Sequence, residues 1–183
     1  MKKVLVPLAQ GCEELEAITI MDLLTRAGIE VVSAGLDDEP VKCSRNTVIV
    51  PSTTIDTIIN DEFDLIVLPG GLPGADHLRD DERIISLIQK HSASNKPVAA
   101  ICAAPKVLAK AGLLENKKAT SFPNVLLDLN LPTTTVTGSA LEIDGNIITS
   151  RGPGTAMDFS LTLIKQLLGA ATAEIVKQQM VSD

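Results

Sequence analysis

Two short apolar runs bracket a helical segment at the start of the chain, and this arrangement limits the possible folds more than any other feature. Val4 to Leu8 reads as a strand buried on both faces. Glu13 to Ala27 reads as a helix, acidic in its first turn and ending with Arg26 and Gly28. Ile29 to Ala34 is the next strand. Strands joined through a helix lie parallel, whereas antiparallel neighbours need only a tight hairpin. One strand–helix–strand unit in about thirty residues therefore predicts a parallel sheet covered by helices.

The pattern repeats downstream. Leu65 to Leu68 is a buried strand that runs into Pro69-Gly70-Gly71-Leu72-Pro73-Gly74. Asp81 to Ser94 is an amphipathic helix burying Ile84, Ile85, Leu87 and Ile88, with His91 expected on the surface near its end. Val98 to Ile101 is a third buried strand, and Lys106 to Ala111 a helix with Pro105 in its first turn. Asp144-Gly145 marks the turn of a hairpin over Leu141 to Thr149, and Thr155 to Leu168 and Thr172 to Met180 are closing helices. Val41 to Pro51 alternates poorly and suits a short hairpin on the sheet edge, and Ala119 to Phe122 a further short strand. Without repeats, low-complexity tracts or a linker, residues 1–183 read as one α/β domain with helices on both faces of a mostly parallel sheet.

Composition narrows the function classes. Aromatic residues make up 2% of the chain, with no Trp or Tyr, so the core must be Ile, Leu, Val and Ala. The net charge is −7, with both signs interspersed. A chain with neither a basic patch nor base-stacking aromatics is not expected to bind nucleic acid. No apolar run approaches the roughly 18 residues of a membrane span. The opening Lys2-Lys3-Val4-Leu5-Val6-Pro7-Leu8 is too short and too broken for a signal peptide, and Glu13, Glu14 and Glu16 follow it closely. Cys12, Cys43 and Cys102 are too few and too scattered for a disulfide framework or a CxxC metal site, and free thiols point to the cytoplasm.

Cys102 is the residue with chemistry to offer. It ends a buried strand and precedes a helix, the geometry of a nucleophile elbow with sulfur in place of a serine oxygen. Free backbone N–H groups at such a turn favour thiolate over thiol. A small buried cysteine closing a strand is the competing reading. Ligands of an open parallel sheet bind beyond the carboxyl ends of its strands, which brings the Cys102 turn together with Gln10 to Glu16 and Pro69 to Gly74. Gly70-Gly71 is either an ordinary tight turn or a nest of backbone donors for an oxyanion. His77 and His91, the only histidines, both read as solvated rather than as a base for Cys102. Glu13 and Glu16 share a helix face, so one of them is a candidate acid–base group, while Glu14 turns away as a helix-end acid. Metal binding by these carboxylates with Cys102 would mix hard and soft ligands, and none is expected. Cys12 is either a small loop residue or a resolving thiol for Cys102.

Four motifs in order, Gly11-Cys12-Glu13-Glu14-Leu15-Glu16, Val67-Leu68-Pro69-Gly70-Gly71, Ala99-Ala100-Ile101-Cys102-Ala103-Ala104-Pro105 and Ser150-Arg151-Gly152-Pro153-Gly154-Thr155, resemble the ThiJ/PfpI family from Val4 to about Leu168. The resemblance implies a flavodoxin-like sandwich and a homodimer. It implies that Cys102 is the reactive cysteine, Glu16 the pocket glutamate, and Gly71 with Ala103 the backbone donors beside Gly70. It also puts Arg45 and Pro153 at the pocket or its dimer edge, with Arg26 nearby. Two departures stand out. Protease-like relatives often carry a histidine directly after the cysteine, where this chain has Ala103, and some members have a pocket histidine where it has Phe122. The implied activity is cofactor-independent handling of methylglyoxal, glyoxal or their protein adducts, as a glyoxalase or deglycase. A redox-responsive or chaperone-like role for the same cysteine is the alternative, and a hydrolase the third reading. An ionised Glu16 would oppose a thiolate at Cys102, so a working pair would hold one proton and one negative charge between them. Cys102 is then expected to react as a thiolate below pH 7.

Overall fold

A computed structural model describes residues 1–182. β1 (Lys3–Leu8), α1 (Glu14–Arg26) and β2 (Glu30–Gly35) form the first strand–helix–strand unit. The short β3 (Val41–Lys42), β4 (Val48–Ile49), β5 (Thr53–Thr54) and α2 (Ile55–Ile58) follow. Next come β6 (Leu65–Leu68), α3 (Gly74–Asp80), α4 (Glu82–Ala93), β7 (Val98–Ile101) and α5 (Pro105–Lys110). β8 (Lys118–Ala119) and β9 (Thr135–Val136) precede the hairpin of β10 (Leu141–Asp144) and β11 (Ile147–Ser150), and α6 (Ala156–Leu168) and α7 (Ala170–Gln179) come last.

Seven strands form the central sheet in the order β10-β11-β7-β6-β1-β2-β5, parallel throughout except between β10 and β11. This is the α/β architecture that the alternation of strands and helices predicts. From β1 the chain moves to one side of the sheet, and from β6 to the other, which opens a crevice at the carboxyl ends of these central strands. Along β1, Val4, Val6 and Leu8 face one layer and Leu5 the other, the period of two that a strand imposes. Ile20 and Leu24 of α1 and Phe159 and Leu163 of α6 fill the first layer. Leu78, Ile84, Ile88 and Leu108, from α3, α4 and α5, fill the second. Each such side chain contributes about 1.5–3 kcal/mol by leaving water, so an aliphatic core suffices without Trp or Tyr.

Four local features differ from the sequence reading. The Val41–Pro51 stretch does form a hairpin, but β3 and β4 make a separate two-stranded sheet, and β5 is the edge strand. Only Lys118 and Ala119 are extended in the region expected as a strand over Ala119 to Phe122, and they pair with β9 away from the main sheet. α3 occupies Gly74–Asp80, directly after a run of glycines and prolines that reads as loop. His91 is buried, with Nε2 3.0 Å from the Pro97 carbonyl, and burial lowers its pKa. It lies three residues beyond Ile88 and seven beyond Ile84, on the same inward face of α4. No helix among the described residues is long and apolar enough to cross a membrane.

Candidate active site

β7 and α5 are joined by a turn of only three residues, and Cys102 is the first of them. Its φ is +62°, in the left-handed region that costs a residue with a Cβ roughly 1–3 kcal/mol. Two hydrogen bonds hold it there. The Cys102 N–H donates to the Ser150 carbonyl at 3.0 Å, and the Cys102 carbonyl accepts from the Phe122 N–H at 2.8 Å. Cys102 as a whole is 8% exposed and so is buried.

Glu16 comes to this turn from the first turn of α1, completely buried. Its Oε2 accepts from the Gly70 N–H at 2.8 Å, whereas Oε1 has no hydrogen-bond partner among the described residues. Gly70 is wedged between the two functional groups. A Cβ on it would lie 2.7 Å from Cys102 Cβ and 2.8 Å from both Glu16 Oε2 and the Ile101 carbonyl, which leaves glycine as the only residue that fits. Gly71, at φ +89°, turns the chain so that its N–H faces the sulfur, as does the Ala103 N–H. The Glu13 N–H closes the arrangement by donating to the Gly70 carbonyl at 2.9 Å. The three loops expected at one sheet edge thus interlock around Glu16 and Cys102.

Burial dominates the electrostatics of the pair. It pushes the Glu16 carboxyl up to about 7, opposed by the Gly70 hydrogen bond and the Cys102 thiol. Burial also pushes the Cys102 thiol up, to about 12, and the Glu16 charge adds to that rise. The Gly71 and Ala103 N–H groups pull it back down. The pair therefore loses its first proton near neutrality and keeps its second into strong alkali, so one charge and one proton are shared across it. The elevated Glu16 is what the sequence argument requires. Desolvation outweighs the two local N–H donors at the sulfur, and the six-residue α5 adds little dipole, so a thiolate at Cys102 near neutrality depends on the proton shared with Glu16.

The remaining residues divide. Phe122 stands at the rim, half exposed, beside Gly152, whose Cβ would lie 3.5 Å from its ring, and Pro153 follows in the Pro153–Thr155 turn. It lines, with Ser121, Pro123 and Arg151, a cavity of ≈ 230 Å³. Arg45 is exposed and its guanidinium reaches only the Ser44 carbonyl at 3.4 Å, so it does not line the site within this chain. Arg26 is displaced from the expected place altogether. It pairs with Asp22 at the far end of α1, ten residues or about 15 Å along the helix from Glu16. His77 is exposed on α3, as expected, and His91 is committed to Pro97; neither makes a hydrogen bond to Cys102. Among the described residues no group of three or more His, Cys, Asp or Glu side chains is arranged to hold a metal ion.

Glu14 does more than complement a helix dipole. Its carboxylate accepts from the Arg45 N–H at 3.0 Å, the Thr47 N–H at 3.2 Å and Ser44 Oγ at 3.2 Å, and backbone hydrogen bonds hold its pKa down to about 2. Nothing in the local pattern signals this, because the partners lie some thirty residues away. The Cys12 sulfur, considered as a partner for Cys102, instead lies 3.5 Å from the Cys43 sulfur.

A family model described as DJ-1/PfpI family matches residues 2–166. Protein dj-1beta of Drosophila melanogaster is 44% identical over 169 residues, covering 92% of this chain and 90% of that one. The crystal structure of Drosophila melanogaster DJ-1beta superposes with a TM-score of 0.95 at 40% identity, over 100% of this chain and 98% of the other. Oxidized Toxoplasma gondii DJ-1 gives a TM-score of 0.93 at 37% identity, over 100% and 99%. A Caenorhabditis elegans protein, glutathione-independent glyoxalase DJR-1.2, is 34% identical over 169 residues, covering 87% of this chain and 85% of that one.

Proposed function

Because the chain belongs to the DJ-1/PfpI family, we propose that it converts reactive α-oxoaldehydes such as methylglyoxal or glyoxal to hydroxy acids, with Cys102 as nucleophile and Glu16 as proton carrier. The observation that carries this reading is the buried pair of Glu16 and Cys102, with Glu16 raised to about 7, where a general base is most effective near neutral pH. The glyoxalase among the relatives supports it.

The reaction balances without cofactor or metal. The Cys102 sulfur adds to the aldehyde carbon of methylglyoxal, and its proton passes through Glu16 to the new oxygen, giving a hemithioacetal. The Gly71 and Ala103 N–H groups steady the developing oxyanion. Glu16, through its unpartnered Oε1, then takes the proton from that carbon, the hydroxyl proton passes to the neighbouring keto oxygen, and a proton is returned to the former keto carbon. The resulting thioester is hydrolysed by water to lactate, which frees the thiol. Glyoxal would give glycolate, and the same adducts on protein amines or thiols would make the protein a deglycase.

Two further parts belong to the proposal. The protein acts as a homodimer in the cytoplasm, joined across α1 and the start of α6, where Leu15 and Ile18 of α1 and Met157 of α6 are exposed, with Arg45 at the edge of the partner's site. Oxidation of Cys102 to a sulfinate by two equivalents of a peroxide, each reduced to water or an alcohol, is the second reading, favoured by the same donors around the sulfur and by the relative solved in oxidized form. Steady-state lactate production from methylglyoxal, without glutathione, by wild type and Cys102→Ser separates the readings. Turnover that disappears in the variant supports the enzyme. Stoichiometric loss of the thiol without turnover overturns it.

A further inference from the structure

Cys12 and Cys43 are separated by 31 residues in sequence, yet their sulfurs are 3.5 Å apart and both side chains are buried. The Cys12 backbone is immobilised beneath the glycine loop of the site. A Cβ at Gly74 would lie 2.6 Å from Cys12 N, and the next residue, Glu13, donates its N–H to the Gly70 carbonyl. Cys43 sits on the hairpin of β3 and β4, with two residues in each strand. Its turn, from Arg45 to Val48, is exposed and passes through Asn46 at φ +73°. The Glu14 carboxylate, which accepts from the Arg45 and Thr47 N–H groups, and the Ser44 N–H, which donates to the Cys12 carbonyl at 2.8 Å, tie this hairpin to the site, so Cys43 is reached when that clamp opens. The Ser44–Cys12 bond keeps the two thiols beside each other, and the exposed turn is the side from which Cys43 is reached. The sulfurs need to approach by about 1.5 Å to bond at the usual length of roughly 2.05 Å.

We propose that Cys12 and Cys43 are a second redox centre, separate from Cys102, that closes to a disulfide on reaction with a low-molecular-weight disulfide. The Cys43 thiolate, exposed as the hairpin opens, attacks one sulfur of the small disulfide and displaces the first small thiol. The Cys12 thiolate then attacks Cys43 Sγ and displaces the second. Two protein thiols lose two electrons and two protons, and the small disulfide gains them as two thiols. Burial raises both thiols, so the pair stays reduced against brief exposure and responds to a sustained shift in poise. The new bond ties the Ser44–Thr47 turn, already clamped by Glu14, to the loop beneath Gly71, and so rigidifies one wall of the site.

The test exposes native wild type and Cys102→Ser to glutathione disulfide, followed by acid quench, thiol blocking, trypsin and mass spectrometry. Cys43 falls in the tryptic peptide Cys43-Ser44-Arg45 and Cys12 in Val4 to Arg26. Both proteins should give these peptides joined, about 2 Da below their summed mass, with no glutathione retained on either. Dithiothreitol should release them, and the closed form should melt on the order of 5 °C higher. Cys12→Ser should instead hold glutathione on Cys43. Retention of glutathione on Cys43 in wild type, a Cys12–Cys102 linkage, or failure of both thiols to react while Cys102 is consumed would each overturn the proposal. Wild type alone suffices for this readout if the Cys102→Ser protein fails to fold.

Discussion

Replacing Glu16 by Gln removes a charge while keeping the shape of the side chain and an oxygen for the Gly70 N–H. In the wild type, the Glu16 pKa rises from 4.5 in the unfolded chain to about 7 in the folded one. Between these values the folded state holds a proton that the unfolded state has released, so stability falls as pH rises from about 4.5 to about 7 and is level above. At roughly 1.4 kcal/mol per unit, the full loss is about 3 kcal/mol, and the side chain is completely buried, so solvent screening does not reduce it. Glu16→Gln carries no such loss. The variant should match wild type to within about 1 kcal/mol near pH 4.5 and exceed it by about 3 kcal/mol at pH 8. That difference corresponds to a melting temperature roughly 6–12 °C higher for a domain of this size. The assay is urea and thermal unfolding of both proteins from pH 4 to pH 9. A difference independent of pH, or a variant weaker than wild type throughout, would refute the buried-carboxyl argument. Either result would mean that Glu16 is already ionised and solvated in the folded state.

The neighbouring carboxylate should behave in the opposite sense. Glu14 is held down to about 2, so its contribution is complete above about pH 4.5 and is lost as pH falls toward 2. Glu14→Gln should be less stable than wild type at pH 6, with the gap closing in acid, as read by circular dichroism. Alkylation of Cys102 by iodoacetamide should rise through an inflection near pH 7 in wild type, where the pair loses its first proton. In Glu16→Ala that inflection should disappear and reactivity should move to higher pH. Gly70→Ala should lose at least 100-fold in methylglyoxal turnover and about 1–3 kcal/mol of stability, because its Cβ would displace both Glu16 and Cys102. Sedimentation at micromolar concentration should give a dimer, which Ile18→Lys disrupts.

The sheet and its buried strands are legible in the chain because their signals are local. Val4 to Leu8, Leu65 to Leu68 and Val98 to Ile101 are short apolar runs bounded by turn residues, and all three are central strands. The strained turn at Cys102 is legible for the same reason, since a buried run, three small residues and a proline leave little choice of geometry. What escapes the sequence is what distant contacts decide. His91 stands at a helix end and looks exposed, but the inward face of α4 buries it against Pro97. Glu14 resembles any helix-end acid until the Ser44–Thr47 turn closes on it. Two cysteines 31 residues apart give no local sign that they touch. Arg26 is the instructive error. Its helix starts at the site, but a rise of 1.5 Å per residue carries the other end well away.

The bond from the Cys102 N–H to the Ser150 carbonyl also sets when, during synthesis, the site comes into being. Glu16 leaves the ribosome early and Gly70 later, but the strand whose end anchors Cys102 is β11, near the end of the chain. β7 lacks that neighbour until about four-fifths of the protein has emerged, so a nascent chain lacks one of the two hydrogen bonds that hold Cys102 in its strained geometry. Burial beside Glu16, and with it the coupling of the two protons, therefore arrives only when the sheet is nearly complete.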